Sequence, residues 1–73
     1  MKTLKLREDY ITLGQLLKAE GLVDSGVEAK IVIHNGEVLV NGGKELRRGR
    51  KLYDGDIVKF GTAEIRVIAK DPQ

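Results

Sequence analysis

The residues best able to do chemistry in this chain are cations gathered in one run. Lys44 to Lys51 reads KELRRGRK and holds Lys44, Arg47, Arg48, Arg50 and Lys51 against the single anion Glu45. The stretch carries +4 while the whole chain carries +2, so the remaining residues net −2. Positive charge confined to one segment of an otherwise balanced chain points to a polyanionic partner. A planar guanidinium donates two parallel hydrogen bonds to phosphate and stacks on bases. Arg47, Arg48 and Arg50, with Gly49 among them to let a backbone come close, therefore make a candidate phosphate clamp. The competing reading is a solvated loop whose charge only aids solubility. Lys30 and His34 are four residues apart, and on a helix they would share one face. Both are candidates to meet a sugar-phosphate backbone, against the plainer reading of a surface lysine and a histidine near a helix C-terminus. Gln15, Lys18, Ser25 and Asn35 are weaker candidates. Ser25 reads first as a helix N-cap and Asn35 as a cap beside Gly36.

Catalysis has little to work with. His34 is the one histidine, and Ser25 precedes it by nine residues, roughly 13 Å along a helix at about 1.5 Å per residue. That is too far for a nucleophile–base pair. Asp54 and Asp56 flank a glycine, as turn residues do. There is no cysteine, no metal-ligand cluster and no phosphate-loop signature. The chain is expected to be no enzyme and to need no cofactor, metal or small-molecule substrate. No apolar run approaches the ~18 residues of a membrane span, and Met1 to Arg7 lacks the apolar stretch of a signal peptide. A cytoplasmic, monomeric protein with no membrane role is expected.

These side chains must be positioned by a domain of 73 residues, whose core is thin. The alternation from Lys2 to Leu6 predicts an N-terminal strand. Thr12 and Gln15 form a capping box, with Ile11 and Leu16 as its hydrophobic staple, so a helix runs from about Leu13 to Glu20 and stops at Gly21. The next segment is open. Ser25 and Glu28 form a second capping box for a helix through about Asn35, but Ile31, Val32 and Ile33 are β-branched. Asn35-Gly36 could equally turn a hairpin between Ile31–Ile33 and Val38–Val40. Thereafter the pattern is β: a strand Glu37 to Val40, a turn at Asn41-Gly42-Gly43, and the basic run as a loop or irregular strand. A turn at Tyr53 to Asp56, a strand Ile57 to Phe60, a turn at Gly61-Thr62 and a strand Ala63 to Ala69 follow. Ile65, Val67 and Ala69 would face the core, and Glu64, Arg66 and Lys70 water. The fold class is α+β: two short helices packed on a small, mostly antiparallel sheet.

This order, with Leu13, Leu16-Leu17, Gly21-Leu22, Ser25, Glu28-Ala29-Lys30, Ile33, Gly36, Val38, Val40-Asn41-Gly42 and Gly55-Asp56-Ile57, resembles the alpha-L RNA-binding motif. That family includes the RNA-binding domain of ribosomal small-subunit protein four, pseudouridine synthases and a bacterial tyrosyl-tRNA synthetase tail. The likeness spans about residues 11 to 60 of a single domain, 1–73. The run S-x-x-E-A-K…G-x-V-x-V-N-G is specific as a set and unspecific in pieces. The short length, LLKAEG, AKIVI and the RRGRK loop look most like the stand-alone bacterial proteins of the YaaA/YbcJ type. The resemblance implies that the second segment is a helix and that the partner is structured RNA, such as ribosomal RNA or its precursors. The family usually carries cations at the start of its first helix, where this chain has Thr12, Gly14 and Gln15, and an arginine where it has Gly26. The positive charge sits instead in Lys44 to Lys51.

Two other readings compete. A β-grasp, ubiquitin-like sulfur carrier would use Thr12 to Leu17 as its helix, Asn35-Gly36 as a turn and Asp54 to Val58 near its end, but such carriers need a terminal Gly-Gly, where this chain has Asp71-Pro72-Gln73. A protein–protein adaptor would need an exposed apolar patch. Tyr10, Tyr53 and Phe60 are the only aromatic residues, with Phe60 expected in the core. Stacking platforms for single strands are therefore not expected, and recognition should be of RNA shape through phosphates and 2′-hydroxyls.

Overall fold

The computed structural model describes residues 1–70. Asp71, Pro72 and Gln73, on which the contrast with sulfur carriers turned, lie outside them. Strand β1 (Lys2–Lys5) leads through a bend to the short strand β2 (Ile11–Thr12) and helix α1 (Leu13–Ala19). Helix α2 (Gly26–His34) follows, then β3 (Val38–Val40), β4 (Gly43–Lys44), β5 (Lys51–Leu52), β6 (Ile57–Phe60) and β7 (Ala63–Ile68). One sheet has the order β1-β7-β6-β3-β4, and β2 with β5 forms a separate two-stranded ribbon. Every pairing is antiparallel except β1 with β7, which are parallel from Lys2↔Ile65 to Lys5↔Ile68. Parallel neighbours need a crossover. Here everything between β1 and β7 supplies it.

Local chemistry fixes both helices. Thr12 accepts from the Gln15 N–H and Gln15 answers to the Thr12 N–H, so the predicted capping box is closed. At the other end Gly21, at φ 70°, donates to the Lys18 carbonyl and Leu22 to that of Leu17, a Schellman motif. Glu20 is the C-cap, so α1 ends one residue before the expected limit. Ser25 caps α2 by accepting from the Glu28 N–H, but the Glu28 carboxylate reaches back to the Asp24 N–H rather than to Ser25. The second Schellman motif runs from Gly36 to the Ile33 carbonyl and from Glu37 to that of Val32. Asn35-Gly36 is thus a helix end, and the hairpin alternative is overturned. The β-branched run is accommodated because Ile33 is fully buried and Val32 packs on the core. Tertiary burial outweighs a propensity deficit of a few tenths of a kcal/mol per residue. The sulfur-carrier reading loses its turn at the same place.

The true Asn-Gly hairpin is Asn41-Gly42, joining β3 to β4 with φ of 52° and 86°. Both positive values are what a type I′ turn requires. Asn41 also ties β3 to β6: its side chain donates to Asp56, accepts from the Ile57 N–H, and its own N–H donates to the Ile57 carbonyl. The core lies between the helices and one face of the sheet, with Leu13, Leu16, Leu17, Ile33, Val58 and Ile65 fully buried. Val67 is buried as expected, but Ala69 lies beyond the end of β7 and is exposed, and Glu64 is half-buried. Phe60 is half-buried and packs against the core from its edge.

The two Asn-Gly pairs should respond differently to mutation. Asn41→Ala removes a residue that tolerates positive φ together with two side-chain hydrogen bonds, and is expected to destabilise by about 1–3 kcal/mol. Asn35 sits in ordinary helical geometry at φ −77°, so Asn35→Ala should cost less than about 0.5 kcal/mol. Urea denaturation of both variants checks the contrast.

Candidate nucleic-acid interface

The basic run is a built loop between β4 and β5, and two devices hold it. The first is the start of α1. A helix N-terminus leaves its first N–H groups without intrahelical partners. Here the Leu13 N–H donates to the Arg50 carbonyl at 2.9 Å and the Gly14 N–H to the Arg48 carbonyl at 3.0 Å. With Thr12 serving Gln15, the opening turn is satisfied partly by its own cap and partly by the basic loop. The Arg48 side chain also lies over the helix at Gly14. A Cβ on Gly14 would stand 2.7 Å from Arg48 Cγ. A glycine in the first turn of a strong helix is costly by about 1 kcal/mol relative to alanine. That cost was the available sign of a close approach. Gly49, expected to let a phosphate backbone come close, has open space around it.

The second device is Glu45. The residue is only 7% exposed in the middle of an exposed basic run. Its carboxylate accepts from Arg47 Nε at 3.0 Å and Nη2 at 3.3 Å, from the Arg47 N–H at 3.1 Å, and from Arg50 Nη1 at 2.6 Å. Its own N–H donates to the Val38 carbonyl, fixing the loop to β3. Hydrogen bonds from Arg47 and then Arg50 outweigh burial and hold the carboxyl at about 2, against an ordinary 4.5. Two of the three proposed clamp arginines are therefore already bound by a carboxylate. Arg50 is half-buried in that role, whereas the Arg47 side chain remains largely exposed. Sequence reading treated Glu45 only as a subtraction from the charge. Its isolation among five cations was the visible signal.

The other candidates fall into groups. Arg48 lies over Gly14 and, with Thr12, Gln15, Lys18, Gly26 and Gly49, lines a surface depression of about 220 Å³ between the starts of both helices. Gln15 and Lys18, the weaker candidates of helix α1, thereby join the loop. Lys44 crosses to the far end of α2, its aliphatic stem against Gly36 and its ammonium beside that helix C-terminus. Lys30 and His34 are exposed on α2, and His34 occupies its last turn. Ser25 and Asn35 are the caps of that helix. Lys51 is drawn away, its ammonium 4.9 Å from the centre of the Tyr10 ring. Among the described residues Lys18, Lys30, Lys44, Arg48 and Lys51 form no ion pair with a carboxylate. Asp54 and Asp56 accept from the Ala69 and Tyr53 N–H groups, the turn chemistry expected of them.

Two helices on a small sheet, with a braced cationic loop across the start of the first helix, define an alpha-L type nucleic-acid-binding fold. The chain belongs to the S4 domain family, whose model matches residues 4–68. It is 43% identical over 65 residues to RlbA of Bacillus subtilis strain 168, a probable ribosome maturation protein, covering 85% of this chain and 92% of that one. It is 39% identical over 70 residues to YbcJ of Escherichia coli K12, covering 94% and 100%. The solution structure of YbcJ, described as an alpha-L motif involved in RNA binding, superposes with a TM-score of 0.72 at 38% identity over 94% of this chain and 89% of that one.

Because the folded Glu45 carboxyl titrates well below its ordinary value, its contribution to stability is complete above about pH 4.5 and is lost as pH falls through about 2. Glu45→Gln should be less stable at neutral pH and should show a shallower acid dependence across that window. Denaturation midpoints of both proteins between pH 2 and 6 test this. Parallel profiles would exclude a linked role for Glu45.

Proposed function

We propose that this chain is an RNA-binding module, not an enzyme, that recognises structured RNA, ribosomal RNA or its precursors, through the loop from Lys44 to Lys51 and through α2. The observation that carries the proposal is the construction of the loop. A loop whose charge only aided solubility would need neither a buried carboxylate nor a docking site on a helix. Here Glu45 and the α1 N-terminus spend a buried charge and a glycine to hold arginines in fixed positions. Cations fixed in advance lose less entropy on meeting phosphate than cations on free chain. RNA binding by the motif of YbcJ, and ribosome maturation as the probable role of RlbA, favour RNA over other polyanions.

Arg48, Lys18 and Lys44 are the cations most available to phosphate oxygens, with Lys30 and His34 extending the surface along α2. Arg47 reaches phosphate with its exposed edge while Glu45 holds the other. Contacts of this kind read the spacing of phosphates and 2′-hydroxyls in an A-form helix rather than base identity. The core is closed by the chain's own two helices, which supports action as a monomer. Among the described residues no helix is long and apolar enough to cross a membrane, and a cysteine-free chain fits a reducing cytoplasm.

Titration against an RNA hairpin and a DNA duplex of matched length tests the proposal. Tighter binding to RNA is expected, with log affinity falling against log salt at a slope of about −3 to −4 if ~4–5 phosphates are contacted. Changing Lys30, Lys44 and Arg48 together to glutamine should flatten that slope by about 2–3, since none of the three is held by a carboxylate among the described residues. Equal binding to both duplexes, or an unchanged slope, would count against the reading. Gly14→Ala offers a finer test. It should displace Arg48 and weaken RNA binding, while stability changes by no more than about 1 kcal/mol because helix propensity improves.

A further inference from the structure

We propose a second nucleotide site beside the basic loop, where Tyr10, Tyr53 and Lys51 receive an unpaired base of the bound RNA. The inference rests on the RNA-binding reading above and adds a chemistry that the loop lacks.

The site follows from the register of the ribbon. β2 and β5 pair with Ile11 opposite Leu52 and Thr12 opposite Lys51. Continued outward by one residue, that register sets Tyr10 opposite Tyr53. Side chains alternate faces along a strand. Ile11 and Leu52 turn to the core, where Leu52 is fully buried. Tyr10, Thr12, Lys51 and Tyr53 therefore share the outer face. Tyr10 and Tyr53 are 40% and 50% exposed, the only large aromatic surface left open, because Phe60 packs against the core. Their ring centres are 6.0 Å apart with planes tilted by 52°. A base sandwiched between two rings needs them about 7 Å apart and parallel, at ~3.5 Å per contact. The arrangement excludes that slot, so a base would stack on the exposed part of a single ring.

The surroundings suit a nucleotide. Lys51 sits over Tyr10 and follows Arg50 directly, so the phosphate-binding loop runs straight into the aromatic pair. Arg47, Gly49, Arg50 and Lys51 line the depression on that side. On the other side Tyr10 borders a depression of about 400 Å³ shared with Glu8, Asp9, Gln15 and Lys70. Asp9 pairs with Lys70 at 3.3 Å and Gln15 is engaged at the Thr12 cap. The arrangement is polarised. Cations stand where the ribose-phosphate arrives, and beyond the ring lie Glu8 and the Asp9–Lys70 pair, whose carboxylates offer acceptors to a base amino group. A base flanking or bulging from a helix held by the loop would stack on Tyr10 or Tyr53 with its phosphate at Lys51.

Two RNA probes with the same hairpin stem test the site, one blunt and one extended by four unpaired adenosines. The extended probe should bind about fivefold to a hundredfold more tightly, the range of one base–aromatic stack. The chain has two tyrosines and no tryptophan, so its intrinsic fluorescence arises from this patch alone. The extension should quench it and the blunt stem should not. Tyr10→Leu with Tyr53→Leu should bring the two probes within twofold of each other, and the paired phenylalanine changes should keep the difference. If the leucine variant fails to fold, quenching in the unmutated protein decides. Equal affinity with equal quenching, or a preference that survives in the leucine variant, overturns the site and leaves the RNA module standing. No binding of either probe overturns the module, and the site falls with it.

Discussion

Two hydrogen bonds, from the Leu13 and Gly14 N–H groups to the carbonyls of Arg50 and Arg48, join the parts of this molecule that carry different tasks. They close the opening turn of α1, whose leucines fill the core. They also fix the later half of a loop that Glu45 ties to β3 at its start, between two strands of two residues each. The basic loop is in this sense the cap of a core helix. Its backbone serves stability while its side chains remain outside. A peptide carbonyl is the same in every residue, so Arg48 can change its side chain without uncapping the helix. The constraint on Gly14 comes instead from the Arg48 side chain, whose Cγ would stand 2.7 Å from a Cβ there, while the Arg48 carbonyl would keep an ordinary 3.5 Å.

Glu45 meets the other difficulty of such a loop. Five cations in eight residues repel one another, and salt screens that repulsion only over distances beyond about 8 Å. A buried carboxylate accepting from Arg47 and Arg50 cancels part of the repulsion at its centre and sets the orientation of both guanidiniums. The same burial makes the arrangement sensitive, since removing one partner leaves a charge with poor solvation. Its consequence is a division among cations of one sign. Arg50 is half-buried against the carboxylate, Arg47 is bound by it yet largely exposed, and Arg48, Lys44 and Lys51 form no ion pair with a carboxylate among the described residues.

The sequence made the scaffold legible because its signals were local. Thr12 with Gln15 announces a cap within one turn of chain, and Gly21 its end. Asn35-Gly36 was not decidable that way. The same dipeptide closes a helix there and a hairpin at Asn41-Gly42, with φ of −77° at Asn35 and 52° at Asn41. What separates them is the burial of Ile33 in the core, together with the bonds that Asn41 makes to residues about fifteen positions away. The candidate cations were legible as a composition. Their partition was not, because Glu45 looks the same in sequence whether it is exposed or buried under two guanidiniums. The aromatic pair was missed for a related reason. Forty-three positions separate Tyr10 from Tyr53, and only the pairing of β2 with β5 makes them neighbours.

The family pattern places cations at the start of the first helix, and this chain has Thr12, Gly14 and Gln15 there. The structure compensates from outside the helix. Arg48 lies across Gly14, so a guanidinium reaches the same surface, carried by the loop instead of by the helix. The exchange has an electrostatic logic. A cation on the first turn of a helix faces the positive end of its dipole, which disfavours it by a few tenths of a kcal/mol or more. When the cation arrives on the loop, the loop's own carbonyls occupy the N–H groups that form this positive end. Arg48 therefore brings its counter-dipole with it. The glycine admits the arginine side chain, and the carbonyl of the same residue shields the helix end that the side chain lies across.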